Sequence, residues 1–377
     1  MNVLHISYSD AGGGAARSAY RLHSTLRAHG HASRMLVGRV RRDDPDVRSI
    51  KRNLAWRAAD RAAGSIADPL GLQYVFYPSS FGVASDPWFR EADVVQLFNT
   101  HGSYFSHTAL PLLSRRRPIV WRLSDMWPLT GHVAYSYECE RWRVGCGQCP
   151  YLHEYPKLPR DTTRLLFRIK DAVYRHSRII VVAPSAWIER IAAESPLLSR
   201  FPRVRIPNGV DLDRFRTQPK PRRERPVVLF SAPDPEDRRK GGHILEEVRA
   251  RVGVEYELAA FNGGESELAR QLAEADVFLL PTLADNLPNM AIESMACGTP
   301  VVAFDVGGVG DAVRHLETGW LAPAGDTEAL AAGVRSLLED AELRERLGRG
   351  ARAVAEAEYG ADLEAKRFAE LYEGLVA

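Results

Sequence analysis

The sequence is poor in cysteine, in lysine and in long apolar runs, and each shortage closes off a class of protein. Four cysteines in 377 residues cannot build a disulfide framework. The longest apolar stretches, such as IIVVA at 179–183, fall far short of the roughly 18–20 residues needed to cross a bilayer. Neither sign of charge dominates: 50 lysines and arginines stand against 48 acids, and a net charge of +2 gives no global electrostatic case for a nucleic-acid partner. Only six lysines occur, so arginine supplies most of the positive charge, and any anion site must be local. Residues 1–8, MNVLHISY, lack a basic segment followed by an apolar one, so no secretory leader is expected and the cytoplasm is the expected location.

What is present is a globular balance, 45% hydrophobic and 26% charged, in a chain long enough for two domains. Short apolar runs alternate with longer segments of helical period, the pattern of parallel sheets covered by helices on both faces. The first series of predicted strands is Val3–Tyr8, Ser33–Val37, Val94–Phe98, Ile119–Leu123, Ile179–Ala183 and Val204–Ile206. The second is Val227–Phe230, Tyr256–Phe261, Val277–Leu280, Val301–Phe304 and Trp320–Ala322. Residues 208–226, NGVDLDRFRTQPKPRRERP, are rich in Pro and Arg without a regular period and read as a linker. Helices are predicted over Thr327–Glu339, Ala341–Ala355 and Asp362–Leu375, the last with Phe368, Leu371, Tyr372 and Leu375 at helical spacing. The expected class is therefore α/β, with doubly wound, Rossmann-like domains over 1–207 and 227–357. Ligands bind beyond the carboxyl ends of such strands, so the cleft between facing halves is the expected site.

Two segments carry phosphate chemistry. In SDAGGGAAR, residues 9–17, glycines after a strand let a ligand approach the backbone, and a helix start favours an anion. A dinucleotide fingerprint would need glycine at Arg17 and an acid where the chain reads Val37-Gly38-Arg39, so a nicotinamide cofactor is disfavoured. A tight packing turn is the plain alternative. In PTLADNLPNMAIESMACGTPVVAFDVGG, residues 281–308, Asp285 and Glu293 are separated by seven residues across a loop that enters a helix near Asn289. Amides at that start can bind a diphosphate while Glu293 accepts hydrogen bonds from sugar hydroxyls. Helix capping is the other reading of an acid there.

Cys139, Cys146 and Cys149 have the spacing C-x6-C-x2-C, and with His132 or His153 they would complete a tetrahedral structural zinc site. Packing thiols or a redox pair are the alternatives. Cys297 reads as packing. The arginines at 115–117 and 222–225 and the basic 39–57 segment with Trp56 are solvated faces or, functionally, contacts to anionic lipid headgroups.

The acid, seven residues and glutamate, followed by SMACGTPVVAFDVGG, resemble the donor-site motif of retaining glycosyltransferases of family 4, which have the GT-B fold. RRKGG at 238–242 and PNGVD at 207–211 are similar to further segments of that family. NTHGSYF at 99–105 and WRLSDMWPLTGHVAYSYECERWRVGCGQCP at 121–150 resemble a bacterial polysaccharide subgroup that includes colanic-acid transferase homologues. The resemblance covers nearly the whole chain and is least informative over 40–90.

It implies catalytic roles for His101, Asp125 and Glu293, with Gly13 and Gly14 beside the donor phosphates and acceptor. It implies that Arg239 and Lys240 hold the diphosphate, and that Asp285, Asn286, Leu287, Pro288, Asn289, Met290, Ala291 and Glu293 bind the rest of the donor. The implied reaction moves a sugar, with retention, from a nucleotide-diphosphate sugar to a glycan or lipid-linked glycan in polysaccharide synthesis. No cofactor is implied for catalysis. A final helix over 358–377 packing back on the first domain, and peripheral contact at the inner face of the membrane, belong to the same expectation. The chain departs from the family at Phe230-Ser231-Ala232, where an arginine is usual, at Ser124, where the subgroup has histidine, and at Val133, where it often has cysteine. An epimerase or hydrolase of the same architecture, and a catalytically silent sugar-nucleotide binder, are the rival readings.

Overall fold

The computed structural model describes residues 1–51, 53–230, 237–261 and 263–377. They divide into unit 1, Met1–Ile206 with Ala365–Ala377, and unit 2, Pro207–Glu364.

Unit 1 is built on β1 (Asn2–Ser9), β2 (Ala32–Arg39), β3 (Val47–Ser49), β4 (Val94–Leu97), β5 (Ile119–Arg122), β6 (Ile179–Ala183) and β7 (Arg203–Arg205). They form one sheet in the order β3-β2-β1-β4-β5-β6-β7, and every pair is parallel. Val3 on β1 stands opposite both Ser33 and Val94. β4 and β5 are buried at every position, because helices cover both faces, and so they read as unbroken apolar runs. The helix Gly13–Ala28 packs Ala19, Leu22 and Leu26 against Val3, Met35 and Val94. The winding reverses between β1 and β4, which opens a crevice at their carboxyl ends. The glycine-rich segment leaves one of those ends and Asn99–His101 the other. β3 was not predicted: three residues with only Val47 buried carry no periodic signal.

The helix Ala361–Val376 ends the chain, and its Ala365, Phe368 and Tyr372 are buried in unit 1 beside Val94, Phe98 and Val120. Phe368 and Tyr372 share a face by their i,i+4 spacing. The Tyr372 hydroxyl donates to Gln96 Oε1 at 2.9 Å in the interior, joining residues 276 positions apart.

Unit 2 carries β8 (Val227–Phe230), β9 (Glu257–Ala260), β10 (Val277–Leu280), β11 (Val301–Phe304) and β12 (Gly319–Ala322) in the parallel order β12-β11-β10-β8-β9. Leu330, Val334 and Leu337 of the helix Thr327–Glu339 cover Val228, Val277 and Val302. Here the winding reverses between β8 and β10, so the loop after β10 lies at the switch point. The expected linker at 208–226 lies inside this unit. Val210 bridges to Gly360, Ala361 donates its amide to the Val210 carbonyl at 2.9 Å, and Phe215 is buried. An aperiodic segment can pack as well as a regular one when its few apolar residues fill a core.

Replacing Phe368 by Ala should destabilise unit 1 by about 3–5 kcal/mol through the cavity it leaves. The expected readout is a lower midpoint of chemical unfolding with native far-ultraviolet dichroism retained in buffer.

Candidate functional site

In unit 1, β1 ends at a turn that only glycine accommodates, with Gly12 at φ 79° and Gly13 at φ 66°. Gly13 and Gly14 are exposed at the start of the helix Gly13–Ala28. The buried Asp10 holds this turn against the end of β2: its Oδ1 accepts from the Arg41 amide at 2.9 Å and its Oδ2 from the Arg42 amide at 2.8 Å. The Arg41 guanidinium lies beside the turn, 3.4 Å from where a Cβ on Gly12 would sit.

His101, after β4, and Asp125, after β5, come together as both strands point to the same edge. His101 Nε2 lies 2.8 Å from Asp125 Oδ2, and Nδ1 lies 3.1 Å from the Tyr155 hydroxyl. A carboxylate only accepts, so Nε2 carries a proton, and in the neutral ring Nδ1 then accepts from Tyr155. The Asn99 amide nitrogen, 3.2 Å from Asp125 Oδ2, then donates to the carboxylate, because Nε2 carries a proton and cannot accept. Asp125 Oδ1 accepts from the Trp127 amide at 2.9 Å, which fixes the carboxylate plane. Both ring nitrogens of His101 are thus engaged, and the ring becomes a free base only when Tyr155 turns away. Asn99 and Tyr155 were not singled out from sequence. Asn99 lies within the quoted 99–105 segment, whereas Tyr155 is 54 residues from His101 and left no signal. Ser124, half-buried, immediately precedes Asp125.

In unit 2, the basic turn 238–240 and the loop after β10 are locked together. The Arg239 carbonyl accepts from the Leu283 amide at 2.7 Å and from the Thr282 hydroxyl at 3.0 Å. Asp237 caps the turn through the Arg239 amide at 3.0 Å. Lys240 Nζ donates to Asp285 Oδ2 at 2.8 Å, and Arg239 Nη1 stands 3.5 Å from the same oxygen. Burial alone would raise the Asp285 pKa; Lys240, then Arg239, outweigh it and hold the carboxyl below its ordinary value. Asn286, Leu287 and Pro288 are buried in the loop, and the helix Asn289–Ala296 begins without a side-chain cap. Asn208 Nδ2 donates to the Leu287 carbonyl at 3.3 Å and to Asn289 Oδ1 at 2.8 Å, so the 207–211 segment steadies this helix start. Asn289 and Met290 are half-buried, while Ala291 and Glu293 are fully buried, Glu293 one turn in. Of the departure at Phe230-Ser231-Ala232, Ser231 and Ala232 lie outside the described residues.

Cys139, Cys146, Cys149 and His132 line one pocket of unit 1 together with Trp142 and Tyr151. His132 Nδ1 donates to the Pro156 carbonyl at 2.8 Å, leaving Nε2 facing Cys149 Sγ at 3.4 Å. Burial pushes the Cys146 thiol up to about 11 and the Cys149 thiol up as well. Among the described residues no three His, Cys, Asp or Glu side chains stand close enough to hold one ion. The pocket offers a ligand pair as it stands, where structural zinc needs four. Cys297 is buried in unit 2.

Residues 12–214 match the family described as Glycosyltransferase Family 4, and residues 255–354 match Glycosyl transferases group 1. WcaC of Escherichia coli, assigned to colanic acid biosynthesis as a glycosyl transferase, is 26% identical over 343 residues, covering 80% of this chain and 83% of WcaC. The amylovoran biosynthesis glycosyltransferase AmsK of Erwinia amylovora is 36% identical over 117 residues, 29% of each chain. Anabaena HepE, solved with UDP-glucose, has a TM-score of 0.67 at 17% identity over 99% of both chains, a likeness of fold.

The Asp285 carboxylate gives the unit 2 site a pH signature. Its folded pKa lies below the ordinary 3.8, so its contribution to stability is complete above that value and is lost as pH falls through the lowered one. Lys240→Met should therefore melt below the wild type at neutral pH, and scanning calorimetry should show the two converging as the pH drops below about 4.

Proposed function

The chain belongs to glycosyltransferase family 4, and from that premise we propose that it transfers a sugar, with retention, from a nucleotide-diphosphate sugar to a glycan or lipid-linked glycan in polysaccharide biosynthesis. The names of WcaC and AmsK support the pathway class, and HepE in complex with UDP-glucose supports the donor class. The observation that carries the reading is the convergence of Lys240 and Arg239 on Asp285 beside an uncapped helix start.

In this reading the bond between the anomeric carbon and the β-phosphate oxygen breaks, and a bond to an acceptor hydroxyl oxygen forms on the same face. The hydroxyl proton is released and the nucleoside diphosphate departs. Charge accumulates on the leaving diphosphate, and fixed cations together with helix-start amides stabilise it without reorganising. Lys240 and Arg239 supply that charge, which is the support for proposing transfer without a catalytic metal. Asp285 keeps the two cations in place before donor arrives. Glu293, fully buried one turn into the helix, accepts hydroxyl hydrogen bonds from the donor once the half-buried Asn289–Met290 turn admits it. In unit 1, Asp125 orients His101, and turning of Tyr155 releases Nδ1 for a sugar hydroxyl. A lipid-linked acceptor would bring the enzyme to the membrane surface.

Calorimetry against nucleoside diphosphates and their sugar conjugates tests the donor site. Lys240→Ala should weaken donor binding by about 1.5–3 kcal/mol, the usual worth of a charged hydrogen bond. Glu293→Gln, which keeps the volume, should lower turnover on the order of tenfold to a hundredfold with the fold intact. Wild-type affinity in the first variant would count against the phosphate role of Lys240. Donor binding without turnover on any acceptor would favour the silent binder, and turnover without added acceptor would favour the epimerase or hydrolase.

A further inference from the structure

Arg34 stands near the start of β2 and Arg39 ends it, and of the two it is Arg34 that has a carboxylate. Arg34 Nη1 reaches Glu91 at 2.6 Å, and Arg48 Nη2 on the neighbouring β3 reaches Asp86 at 2.6 Å. Beyond the carboxyl end of β2 this pairing stops. Arg39 and Arg41 are exposed there, and among the described residues neither guanidinium has a carboxylate partner. Asp10, which ties the segment down, is spent on the Arg41 and Arg42 amides. The Arg42 cation is itself placed, with Nε donating to the Asp10 carbonyl at 3.1 Å and the guanidinium 4.2 Å from the centre of the Tyr20 ring. The Ser9 hydroxyl donates to the Arg39 carbonyl at 3.0 Å, so the backbone is fixed while two guanidinium groups are left over.

Those two groups border the His101 site. Arg39 lies 5.3 Å from the centre of the Tyr8 ring, and Tyr8 packs so closely on Gly102 that a Cβ there would sit 2.6 Å from its Cδ2. Gly102 follows His101, so only the Tyr8 ring separates Arg39 from the neighbour of that histidine. Tyr104 meets Tyr8 edge-on at 6.0 Å, which holds the ring under Arg39. Burial, then Asp125 and Tyr8, push the Tyr155 hydroxyl up to about 12, and the Arg39 charge works against them, within electrostatic range of the hydroxyl that covers His101. Arg41 stands at the glycine turn on the same edge, beside Gly12. We propose that Arg39 and Arg41 bind an anionic group carried by the acceptor, a carboxylate or a phosphate, and so select a charged acceptor sugar over a neutral one. A planar guanidinium matches the two oxygens of either group, and one already stacked on an aromatic ring loses less freedom when it binds. The donor diphosphate is the rival occupant, but in the proposed reaction Lys240 and Arg239 serve it. The proposal rests on the transferase reading and adds to it the class of acceptor.

Calorimetry of the full chain, with and without saturating nucleoside diphosphate, tests it, because an anion that still binds when the donor site is filled reports a second site. The probes are methyl glucuronide, glucose 6-phosphate and inorganic phosphate, with methyl glucoside as the neutral control. The wild type should bind at least one anionic probe about tenfold or more tightly than methyl glucoside, and added salt of about 0.5 M should weaken that binding. Preference for the glucuronide assigns a carboxylate acceptor; preference for either phosphate assigns a phosphorylated one. Arg39→Gln with Arg41→Gln should lower the anion affinity on the order of tenfold or more, with melting temperature and nucleoside diphosphate affinity unchanged. Arg39→Lys, which keeps the charge without the fork, should lose less than Arg39→Gln. Anions bound no better than methyl glucoside, or bound equally well by the double variant, would overturn the proposal. So would a double variant that loses nucleoside diphosphate affinity, since the two arginines would then be donor contacts. A wild type that binds the anions but no nucleoside diphosphate would keep this site and count instead against the transferase reading.

Discussion

The approach of Gly241 to the Pro281 carbonyl, and of Gly307 to the Asp285 carbonyl, sets the geometry on which the donor-side loop depends. A Cβ at either glycine would lie 2.0 Å from the carbonyl oxygen it faces, and both have positive φ, at 73° and 57°. No other residue fits there without moving backbone. The loop between them is clamped from both sides, with the Gly308 amide adding a 3.1 Å hydrogen bond to the Asp285 carbonyl. Clamping fixes the Asp285 carboxylate, and the carboxylate gathers Lys240 and Arg239. The repeated glycines of RRKGG and FDVGG therefore serve close backbone approach before they serve any ligand.

Unit 1 holds its carboxylate differently. Among the described residues no lysine or arginine pairs with Asp125; it is held by His101, by Asn99 and by the Trp127 amide. The turn that presents it is supported from below by Lys170, whose Nζ donates to the Trp127 carbonyl at 2.6 Å and the Thr130 carbonyl at 2.9 Å while lying over the Trp127 ring. Burial lowers the Lys170 pKa well below its ordinary range, and two carbonyls with an aromatic face replace the water it has lost. The contrast suits the chemistry proposed for each unit. A diphosphate can displace a carboxylate from a cation, whereas a hydrogen-bonded network built on a carboxylate keeps a ring in one orientation while uncharged hydroxyls come and go.

Much of this was legible in the chain. The alternation of apolar runs with helical segments predicts all but one of the twelve strands among the described residues, most plainly where a buried parallel strand is apolar throughout. β3 escaped because three residues hold too little pattern. The 208–226 segment misled because composition reports what a stretch could do in isolation, and Val210 and Phe215 bury themselves on partners more than 100 residues away. The donor loop could be found by its spacing, since acid, glycine and helix start are close in sequence. Tyr155, the second partner of His101, could not, since it reaches the ring from a separate loop.

Local order, then, was determined by the sequence alone: which longer segments are strands and where glycines permit a turn. Those properties depend on neighbours a few residues apart and on the period of burial. Only the tertiary structure decided which nitrogen of His101 carries its proton, and that Cys139, Cys146, Cys149 and His132 share a pocket without three of them converging. Each of these is set by contacts between segments that meet only once the chain has folded, whether they lie 17 residues apart, as His132 and Cys149 do, or 54, as His101 and Tyr155 do.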